Sequence, residues 1–491
     1  MFSYQQEHER VKDLKMVSKL VEDLMQKELT FEQLEKSVWE TSLELFRHLM
    51  VEVLELFDQK LMDNRDKERY ENKETVPRTL QTLVGEITFC RRHYKDNKEQ
   101  CPVFLLDEML GIEKEKSISP GLLKLGVLWA TKGSSYRDAR DRLTDIYGGQ
   151  VLSHEAIRQA LIEVGEASRR QLENKIITEE GKKEAKVLFV EADGFWTRLQ
   201  KNKGLKRRNQ GREVKMVVVH EGWRPRSNGK KPDYELVNPT YISEFEESYD
   251  FWEYVRGVLS VKYKDIDKTM FIINGDGAFW IREGTRHFSR SMYQYDRFHI
   301  SRELRHVLRY SPEMLRKANR ALVKNDLRLL SSIITEALGC CNDVAQKEKL
   351  SDFEILLKDN WTYIIDYRMR LKDLGFQVSK KWRGLGASES NVNKFKNRIG
   401  KRGRSWSIEG LVAILTTLTR LFEGNLRTAL SRTLDGKEEW ILDRITSAGG
   451  RVTSKIQGNS FGARMGSLPA TRHGTKGYSK LFHELQKVEF V

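Results

Sequence analysis

Cysteine is scarce in this chain of 491 residues, with only Cys90, Cys101, Cys340 and Cys341. A protein held together by disulfides needs a denser set of cysteines, so that class is excluded. The four cysteines also lack the C-x-x-C spacing of a zinc site, which argues against a metal bound through sulfur. Proline is scarce too, and eight prolines exclude long proline-rich linkers.

Long apolar stretches are missing as well. No run approaches the roughly 18–20 residues of a membrane span, and the first ten residues, MFSYQQEHER, are polar and charged rather than typical of a secretory signal. Hydrophobic residues make up 39% and charged residues 32% of the chain, as in soluble globular proteins. We therefore expect a cytoplasmic protein of two to four domains, since a domain has roughly 100–200 residues.

Acidic residues are outnumbered by basic ones. The chain has 86 Lys and Arg against 71 Asp and Glu, a net charge of +15. Residues 1–75 hold 12 basic and 18 acidic side chains, a balance of −6, so residues 76–491 carry +21. Such an excess favours a polyanionic partner, most often nucleic acid. A basic soluble protein without such a partner is the alternative that motifs must exclude.

The first hundred residues contain two kinds of pattern. Apolar residues at three- and four-residue spacing predict helices over residues 5–74, which define an N-terminal helical region, 1–75. Two interpretations stay open for this region: a dimerisation arm, or a helical pair that packs on the rest of the protein. Alternation then predicts a small β-hairpin within residues 76–110, in which residues 85–94 pair with residues 103–106.

Residues 111–180 are predicted to form a helix-turn-helix DNA-binding domain. Ser119 and Pro120 are typical of a helix start, and two glycines turn the chain after a second helix. Ser153 is a favourable N-cap for a third helix, which would present Arg158 and Gln159 to DNA. A three-helix bundle that does not touch DNA has the same pattern, so this alternative stays open.

From residue 185 onward, apolar strands interrupted by a helix predict the first part of a mixed α/β catalytic core, 185–300. Residues 301–380 are rich in Leu and Arg and are predicted to be helices inserted into this core. Residues 381–447 are predicted to close the core with further helices. The tail, 448–491, is basic and glycine-rich, and we expect it to become ordered on DNA.

Two of the predicted strands end in aspartate followed by glycine, at Asp193-Gly194 and at Asp276-Gly277. Side chains at strand ends converge on one edge of an α/β sheet. Paired carboxylates there are hard oxygen ligands that suit Mg²⁺ or Mn²⁺. A single Asp-Gly is usually a turn, but two of them after buried strands in a basic protein favour a site.

Glu389 is the candidate third acid. Ser388 is expected to cap a helix, which would place Glu389 in the first turn, where the helix dipole favours an ionised carboxylate. A basic run without an acid follows and is predicted to contact phosphates, with a solvated basic helix as the alternative. It consists of Lys394, Lys396, Arg398, Lys401, Arg402 and Arg404.

A second basic run without an acid spans residues 198–212 and includes Lys206, Arg207 and Arg208. We interpret it as a β-hairpin that contacts DNA, because it follows Asp193 directly and carries only positive charge. A solvated hairpin tip is the alternative.

The order of these motifs resembles that of the DDE transposases of the Mutator-like superfamily. Their pattern is an acid strand, a second acid strand, a Cys- or Asp-x-x-His element, and a helical insertion before the glutamate. Asp296-Arg-Phe-His299 fits the third element. The resemblance spans roughly residues 76–470 and is closer still to the ISLre-type bacterial insertion-sequence transposases, long described as an uncharacterised protein family. The matching segments are Glu191-Ala-Asp-Gly194, Asn274-Gly-Asp-Gly-Ala278 with Trp280, and Glu389-Ser-Asn-Val392 leading to Ser405-Trp-Ser407.

The resemblance implies a ribonuclease-H-like catalytic core in which Asp193, Asp276 and Glu389 hold two Mg²⁺ (or Mn²⁺) ions. The 113 residues from Asp276 to Glu389 (389 − 276) exceed what the bare fold needs, and the helical insertion accounts for the excess. His299 would position a phosphate or orient a catalytic carboxylate, with a buried structural histidine as the alternative.

We therefore expect a transposase that binds double-stranded DNA, namely the terminal repeats of its element and the target. It would act at the nucleoid as a homodimer or higher homo-oligomer. Two other functions stay open: a structure-specific nuclease of the same fold, and a non-catalytic DNA-binding regulator derived from a transposase. Strand joining separates a transposase from a nuclease, and metal-dependent cleavage separates both from a regulator.

Overall fold

The chain divides into two compact units, Met1–Val164 with Leu426–Val491, and Gly165–Asn425. None of the helices in the described segments is long and apolar enough to cross a membrane. The computed structural model describes residues 18–25, 30–200, 211–226, 234–400 and 403–435.

The first unit contains a long helix packed on a three-stranded antiparallel sheet. Thr30 begins the helix, because its hydroxyl accepts a hydrogen bond from the amide of Gln33 at 3.3 Å. Leu54 of this helix packs with Leu80 and Phe89 of the sheet, which buries the apolar face between them. The elements are α1 (Phe31–Asn64), β1 (Tyr70–Thr82), β2 (Gly85–Asp96), β3 (Cys101–Val103) and α2 (Leu105–Leu110).

The expected helix over residues 5–74 is wrong at its end, because strand β1 begins at Tyr70. Residues 71–75 are polar or charged, so no alternation of apolar side chains marks them as a strand. Pairing with β2 along the whole of β1 stabilises the strand instead. The expected partner of β2, residues 103–106, supplies only Val103, since α2 begins at Leu105.

The three helices expected within residues 111–180 are present. The hydroxyls of Ser119, Ser135 and Ser153 each accept a hydrogen bond from the amide three residues on, at 3.3, 3.0 and 3.0 Å. Gly148 ends the second helix with φ +68°, a conformation that favours glycine. The third helix is longer than expected and ends at Thr178. The helices are α3 (Pro120–Lys132), α4 (Tyr136–Tyr147) and α5 (His154–Thr178).

The second unit is built around a mixed sheet. Its strands are β4 (Val187–Leu199), β5 (Gly211–His220), β8 (Thr240–Glu244), β9 (Met270–Gly275) and β10 (Ser291–Tyr295), and a separate small pair is formed by β6 (Trp223–Pro225) and β7 (Tyr234–Leu236). The strand order is β10-β9-β4-β5-β8. Strands β10, β9 and β4 run parallel to one another, whereas β4, β5 and β8 pair antiparallel. The expected mixed α/β core is therefore present, although β10 had no strand prediction.

Both faces of the sheet are covered, so its central strands bury apolar side chains on both faces. Leu188 and Val190 of β4 face a large core that contains Trp252. Val187 and Phe189 point the opposite way, into a smaller core with Tyr367. The large core is completed by helices of the predicted insertion, which is helical as expected. The covering helices are α6 (Ser248–Lys262), α7 (Phe279–Glu283), α8 (Arg297–Val307), α9 (Pro312–Lys324), α10 (Leu327–Cys340), α11 (Val344–Ile364) and α12 (Tyr367–Asp373).

The segment after the insertion returns to the sheet. Its elements are α13 (Ala387–Ile399), β11 (Ser405–Trp406), α14 (Ile408–Phe422) and α15 (Leu426–Leu434). The short strand β11 pairs with the end of β4, at Ser405↔Arg198 and Trp406↔Leu199, which brings α13 against β4. The last helix, α15, packs on α3 within the first unit, where Lys124 forms an ion pair with Asp435 at 2.6 Å.

Candidate active site

Two of the predicted acids lie on neighbouring parallel strands. Glu191 of β4 is paired with Asn274 of β9, so Asp193 and Asp276 each follow the same rung by two residues. Asp276 comes directly after the end of β9 at Gly275. The convergence that the sequence predicted for these two carboxylates therefore has a structural basis in the register of the sheet.

Asp193, in contrast, does not end its strand. Strand β4 continues to Leu199, because pairing with β5 extends to Arg198↔Gly211. The expected strand end at Asp193 is therefore wrong, and Gly194 lies within the strand. A Cβ on Gly194 would lie 2.8 Å from the Glu213 carboxylate on the neighbouring strand, so glycine permits the close approach of that side chain.

At Asp276 the expected strand end is present, and a tight turn follows. Gly277 has φ +101°, and a Cβ there would lie 2.9 Å from the hydroxyl of Tyr295. Asp276 Oδ1 accepts a hydrogen bond from the amide of Ala278 at 3.1 Å. The carboxylate is thereby held over a tight turn at the end of β9, and Asp276 is exposed.

Glu389 lies in the first turn of α13, as expected, and α13 packs against β4. Asn393, one turn later, donates a hydrogen bond to Glu389 Oε1 at 3.2 Å. The expected cap is wrong, however: Gly386 is the N-cap, and Ser388 is a buried residue inside the helix. The capping acceptor comes instead from Glu191, whose Oε2 accepts hydrogen bonds from the amides of Gly386 and Ser388.

The charges of the other two predicted acids act on Asp193. Burial raises the pKa of Asp193 to about 6, a hydrogen bond from the Gly194 amide opposes this shift, and the negative charges of Asp276 and Glu389 raise the pKa further. The positive charge of His299 lowers it. Asp276, His299 and Glu389 follow Asp193 in the sequence by between 83 and 196 residues (276 − 193 = 83; 389 − 193 = 196). The fold therefore gathers all four into one electrostatic site.

His299 lies on α8 beside a buried aspartate. Its Nε2 is 3.6 Å from Asp296 Oδ2, and Arg302 approaches its Nδ1 at 3.0 Å. Asp296 caps α8 by accepting a hydrogen bond from the amide of Phe298 at 2.9 Å. Burial raises the pKa of Asp296 to about 6, and the negative charge of nearby Glu191 also raises it. Asp296 is fully buried, so its position is structural rather than substrate-facing.

A layer of buried polar side chains under the acids was missed by the sequence reasoning. Glu191, His220 and Asn274 are all buried, and Glu191 Oε1 lies 3.4 Å from His220 Nε2. The signal available in the sequence was a charged residue at the end of the apolar run Val187–Val190. A carboxylate in such a position needs partners, because an isolated buried charge is costly.

The donor set suits a hard divalent cation, although the described residues contain no group of three or more His, Cys, Asp or Glu side chains that could hold one metal ion by themselves. Mg²⁺ is usually bound through one or two carboxylates together with water and substrate phosphates, not by a complete protein cage. Asp193, Asp276 and Glu389 carry hard oxygen donors of the class that Mg²⁺ and Mn²⁺ prefer. The charges of Asp276 and Glu389 both raise the pKa of Asp193, so a cation near them would favour its ionised form.

The basic run after Glu389 is only partly available to DNA. Lys396 is exposed. Lys394 is exposed too, but it donates a hydrogen bond to Asn391 at 2.7 Å and lies over the rings of Tyr241 and Phe422. The carbonyl oxygen of Asn397, near the end of α13, accepts a hydrogen bond from Arg404 at 3.2 Å.

Other predicted DNA contacts lie elsewhere. On α5, Gln159 is exposed, and Arg158 forms an ion pair with Glu155 at 2.8 Å. Five of the predicted DNA contacts fall outside the described residues and stay sequence predictions. They are Lys206, Arg207, Arg208, Lys401 and Arg402.

The chain belongs to the family described as "Uncharacterised protein family (UPF0236)", which matches residues 24–433. A "UPF0236 protein in vanSb 3'region" of Streptococcus gallolyticus is 27% identical over 398 residues, which cover 79% of this chain and 82% of that protein. A UPF0236 protein of Caldanaerobacter subterraneus subsp. tengcongensis is 25% identical over 406 residues, which cover 82% of this chain and 80% of that protein. The name of this second relative joins eleven locus designations.

One solved structure, titled "Drosophila P element transposase strand transfer complex", aligns with 73% of this chain and 91% of its own chain. The identity is 10% and the TM-score is 0.20. A TM-score of this size carries no argument about the fold or the function of the present chain.

Proposed function

We propose that this UPF0236 protein is the transposase of a bacterial insertion sequence of the ISLre type, which binds the element ends and catalyses metal-dependent DNA strand cleavage and strand transfer. The observation that carries the proposal is the electrostatic site of Asp193, Asp276, Glu389 and His299 in a chain of net charge +15. Acidic groups that face a polyanion are repelled by it, so such a site in a DNA-binding protein calls for divalent cations.

The arrangement of the second unit supports a ribonuclease-H-like core. Two acids stand at one place on a mixed sheet, and the third is on a helix that packs against the first acid's strand. The helices α8–α12 separate the second acid from the third. This is the order of elements that the resemblance to DDE transposases implies.

Asp193, Asp276 and Glu389 are the residues that would hold two Mg²⁺ or Mn²⁺ ions. Bound there, the ions would supply activation of water or a 3′-hydroxyl and stabilisation of the leaving oxygen at phosphorus. Because the chemistry asks little covalent work of the protein, the residues act mainly by position and charge. His299 favours the ionised form of Asp193, since its positive charge lowers the pKa of that carboxyl.

The DNA-binding part of the proposal assigns the terminal repeats to α5, through Arg158 and Gln159, and the phosphates near the acids to Lys396. Helix α1 supports assembly as a homodimer or higher homo-oligomer, because it keeps large apolar side chains in solvent. Phe46, Leu49 and Leu56 of this helix are 50%, 53% and 54% exposed. The eleven locus designations of one relative also suit the proposal, since one protein at many places in a genome is what a mobile element produces.

The test uses the purified full-length protein and linear DNA that carries the sequences on either side of its gene. With Mg²⁺ or Mn²⁺, cleavage at the ends and joining of the released 3′-hydroxyl to a second duplex are expected, and EDTA should stop both. Cleavage of any branched DNA without joining would establish a nuclease in place of a transposase. Specific binding to the ends without cleavage under any metal condition would establish a regulator.

A further inference from the structure

Helix α13, which carries Glu389, has no capping side chain of its own. Its N-cap residue is Gly386, with φ +136° and no side chain that could accept a hydrogen bond. The first amides of a helix have no partner inside the helix, and leaving them unpaired in a buried position is costly. An acceptor from elsewhere in the fold is therefore required at this end of α13.

Glu191 supplies that acceptor from strand β4. Its Oε2 accepts hydrogen bonds from the amide of Gly386 at 2.8 Å and from the amide of Ser388 at 3.2 Å. Glu191 is only 1% exposed. A carboxylate at a helix N-terminus also interacts favourably with the helix dipole, so both the hydrogen bonds and the charge stabilise this contact.

The second oxygen of Glu191 lies beside His220. Glu191 Oε1 lies 3.4 Å from His220 Nε2, and both side chains are completely buried. On its other side, His220 Nδ1 is 3.2 Å from the amide of Gly222, which can donate to it, and 3.1 Å from the Gly222 carbonyl. The imidazole therefore lies between the end of β5 and Glu191, within ion-pair distance of the carboxylate, whose direction is set by the two amides of α13.

We propose that Glu191 is a positioning residue that caps α13 and thereby sets Glu389 against Asp193. Glu191 and Asp193 are two residues apart on β4, so their side chains leave the same face of the strand. Ser388, whose amide binds Glu191, directly precedes Glu389. The contact thus ties the strand of one acid to the helix of another. The consequence for Glu389 as a metal ligand rests on the proposed function, whereas the hydrogen bonds that cap α13 do not depend on it.

The same geometry argues against Glu191 as a metal ligand. Oε2 accepts hydrogen bonds from two amides, and Oε1, which makes no hydrogen bond to any described residue, is buried 3.4 Å from His220 Nε2, so neither oxygen is exposed toward a bound ion. The substitution Glu191→Gln separates the two roles. The side-chain amide that it introduces could still accept both hydrogen bonds through its oxygen, and its NH₂ could donate to His220 Nε2 once His220 donates through Nδ1 to the Gly222 carbonyl. If Glu191 were a metal ligand, the same substitution would abolish metal binding, because it removes the negative charge.

The first measurement is hydrogen exchange of the peptide that covers residues 385–395 in the full-length protein without metal. Glu191→Ala should make the amides of Gly386 and Ser388 exchange about tenfold to a hundredfold faster, because their acceptor is gone. Glu191→Gln should exchange nearly as slowly as the wild type. The matched control is Glu244→Gln, another buried glutamate of the same sheet, which forms its ion pair with Arg169 of α5 instead.

The second measurement is Mn²⁺ binding by calorimetry without DNA. Glu191→Ala should bind Mn²⁺ about tenfold to a hundredfold more weakly, the size of effect found when the support of a ligand is removed, and Glu191→Gln within about threefold of the wild type. Asp193→Asn should abolish binding. If Glu191→Ala should not fold, Glu191→Met combined with His220→Phe takes its place, because replacing both polar partners by apolar groups of similar shape is tolerated.

Two results would overturn the inference: unchanged exchange of the Gly386 and Ser388 amides in Glu191→Ala, or loss of Mn²⁺ binding in Glu191→Gln as complete as in Asp193→Asn. The second result would make Glu191 a residue that acts by charge. Absence of Mn²⁺ binding in the wild type would contradict the proposed function and the consequence for Glu389. The exchange data would still decide whether Glu191 caps α13.

Discussion

Asp193 and Asp276 each stand two residues beyond the Glu191↔Asn274 rung of a parallel strand pair, and the charge of Asp276 raises the pKa of Asp193. Parallel pairing of adjacent strands is therefore what brings the two carboxylates together, not their separation along the chain. Glu389 joins them from a helix, because α13 packs on β4. Three acids on three elements should act as one unit.

The first prediction concerns the acids. Asp276→Asn is nearly isosteric and removes one negative charge, so the protein should fold and bind DNA as well as or better than the wild type. Cleavage and strand transfer with Mg²⁺ or Mn²⁺ should both be lost, and Glu389→Gln should behave alike. A gel assay with labelled element ends measures both steps. The control is Glu409→Gln, an exposed acid in α14. Wild-type strand cutting by purified Asp276→Asn would refute the DDE assignment.

The second prediction concerns pH and the metal-free protein. The folded protein raises the pKa of Asp193 from 3.8 to about 6, so it binds the proton more tightly than the unfolded chain. The stability from this group is therefore fully present below about pH 4 and is lost as the pH rises through about 6, by about 3 kcal/mol. Asp193→Asn removes the titration. The free energy of unfolding of Asp193→Asn, relative to that of the wild type, should therefore rise by about this amount between pH 4 and pH 7.

Denaturant unfolding at a series of pH values tests this prediction, with Glu409→Gln as the control that should follow the wild-type curve. Mg²⁺ should stabilise the wild type at pH 7, because it binds the ionised acids of the folded state only. The same ion should not stabilise Asp193→Asn. A difference between variant and wild type that does not change with pH would contradict the assignment of the shift to Asp193.

The third prediction separates two basic residues of α13. Lys396 is exposed, whereas Arg398 is 6% exposed and lies over the Trp406 ring at 5.1 Å. Lys396→Ala should weaken binding to all DNA sequences equally. It should also reduce the slope of log binding constant against log salt concentration by the contribution of about one phosphate contact. Arg398→Ala should lower the free energy of unfolding instead. Binding isotherms at four salt concentrations measure the slope, and an unchanged slope in Lys396→Ala would exclude Lys396 from the DNA interface.

The fourth prediction concerns sequence recognition by α5. Gln159 is exposed, so Gln159→Ala should reduce the preference for element ends over unrelated DNA by about 1–3 kcal/mol without changing stability. Glu155→Gln should raise affinity for DNA in general, because Glu155 neutralises Arg158 and repels phosphate. Competition binding with unrelated duplex measures both effects. If Gln159→Ala keeps the full preference, α3–α5 form a structural bundle.

The fifth prediction concerns the glycine before Asp276. A Cβ on Gly275 would lie 2.6 Å from Ile281 Cδ1, so Gly275→Ala should destabilise the protein by about 1–3 kcal/mol and displace the end of β9. Ile281→Ala in the same chain removes the clashing atoms and should restore part of the metal-dependent activity. Thermal unfolding and the cleavage assay measure the two effects. An equally stable Gly275→Ala variant would show that this close approach is not required.

Local signals along the chain determined much of the secondary structure. The caps at Ser119, Ser135 and Ser153 were predictable because each hydrogen bond joins residues three apart. The helices between residues 297 and 373 and the strands β4, β5, β8 and β9, but not β10, were predictable from the pattern of apolar residues. The three candidate acids were also visible in the sequence, since two follow apolar runs and the third lies in the first turn of a helix.

Tertiary structure decided what no local pattern records. Strand β1 forms from a polar segment because β2 pairs with it. Strand β4 continues past Asp193 because β5 pairs with it there. The cap of α13 comes from Glu191, 195 residues from Gly386, rather than from the adjacent Ser388. A hydrogen bond between distant residues depends on how strands and helices pack, and the chain sequence alone determines only the propensities of those elements.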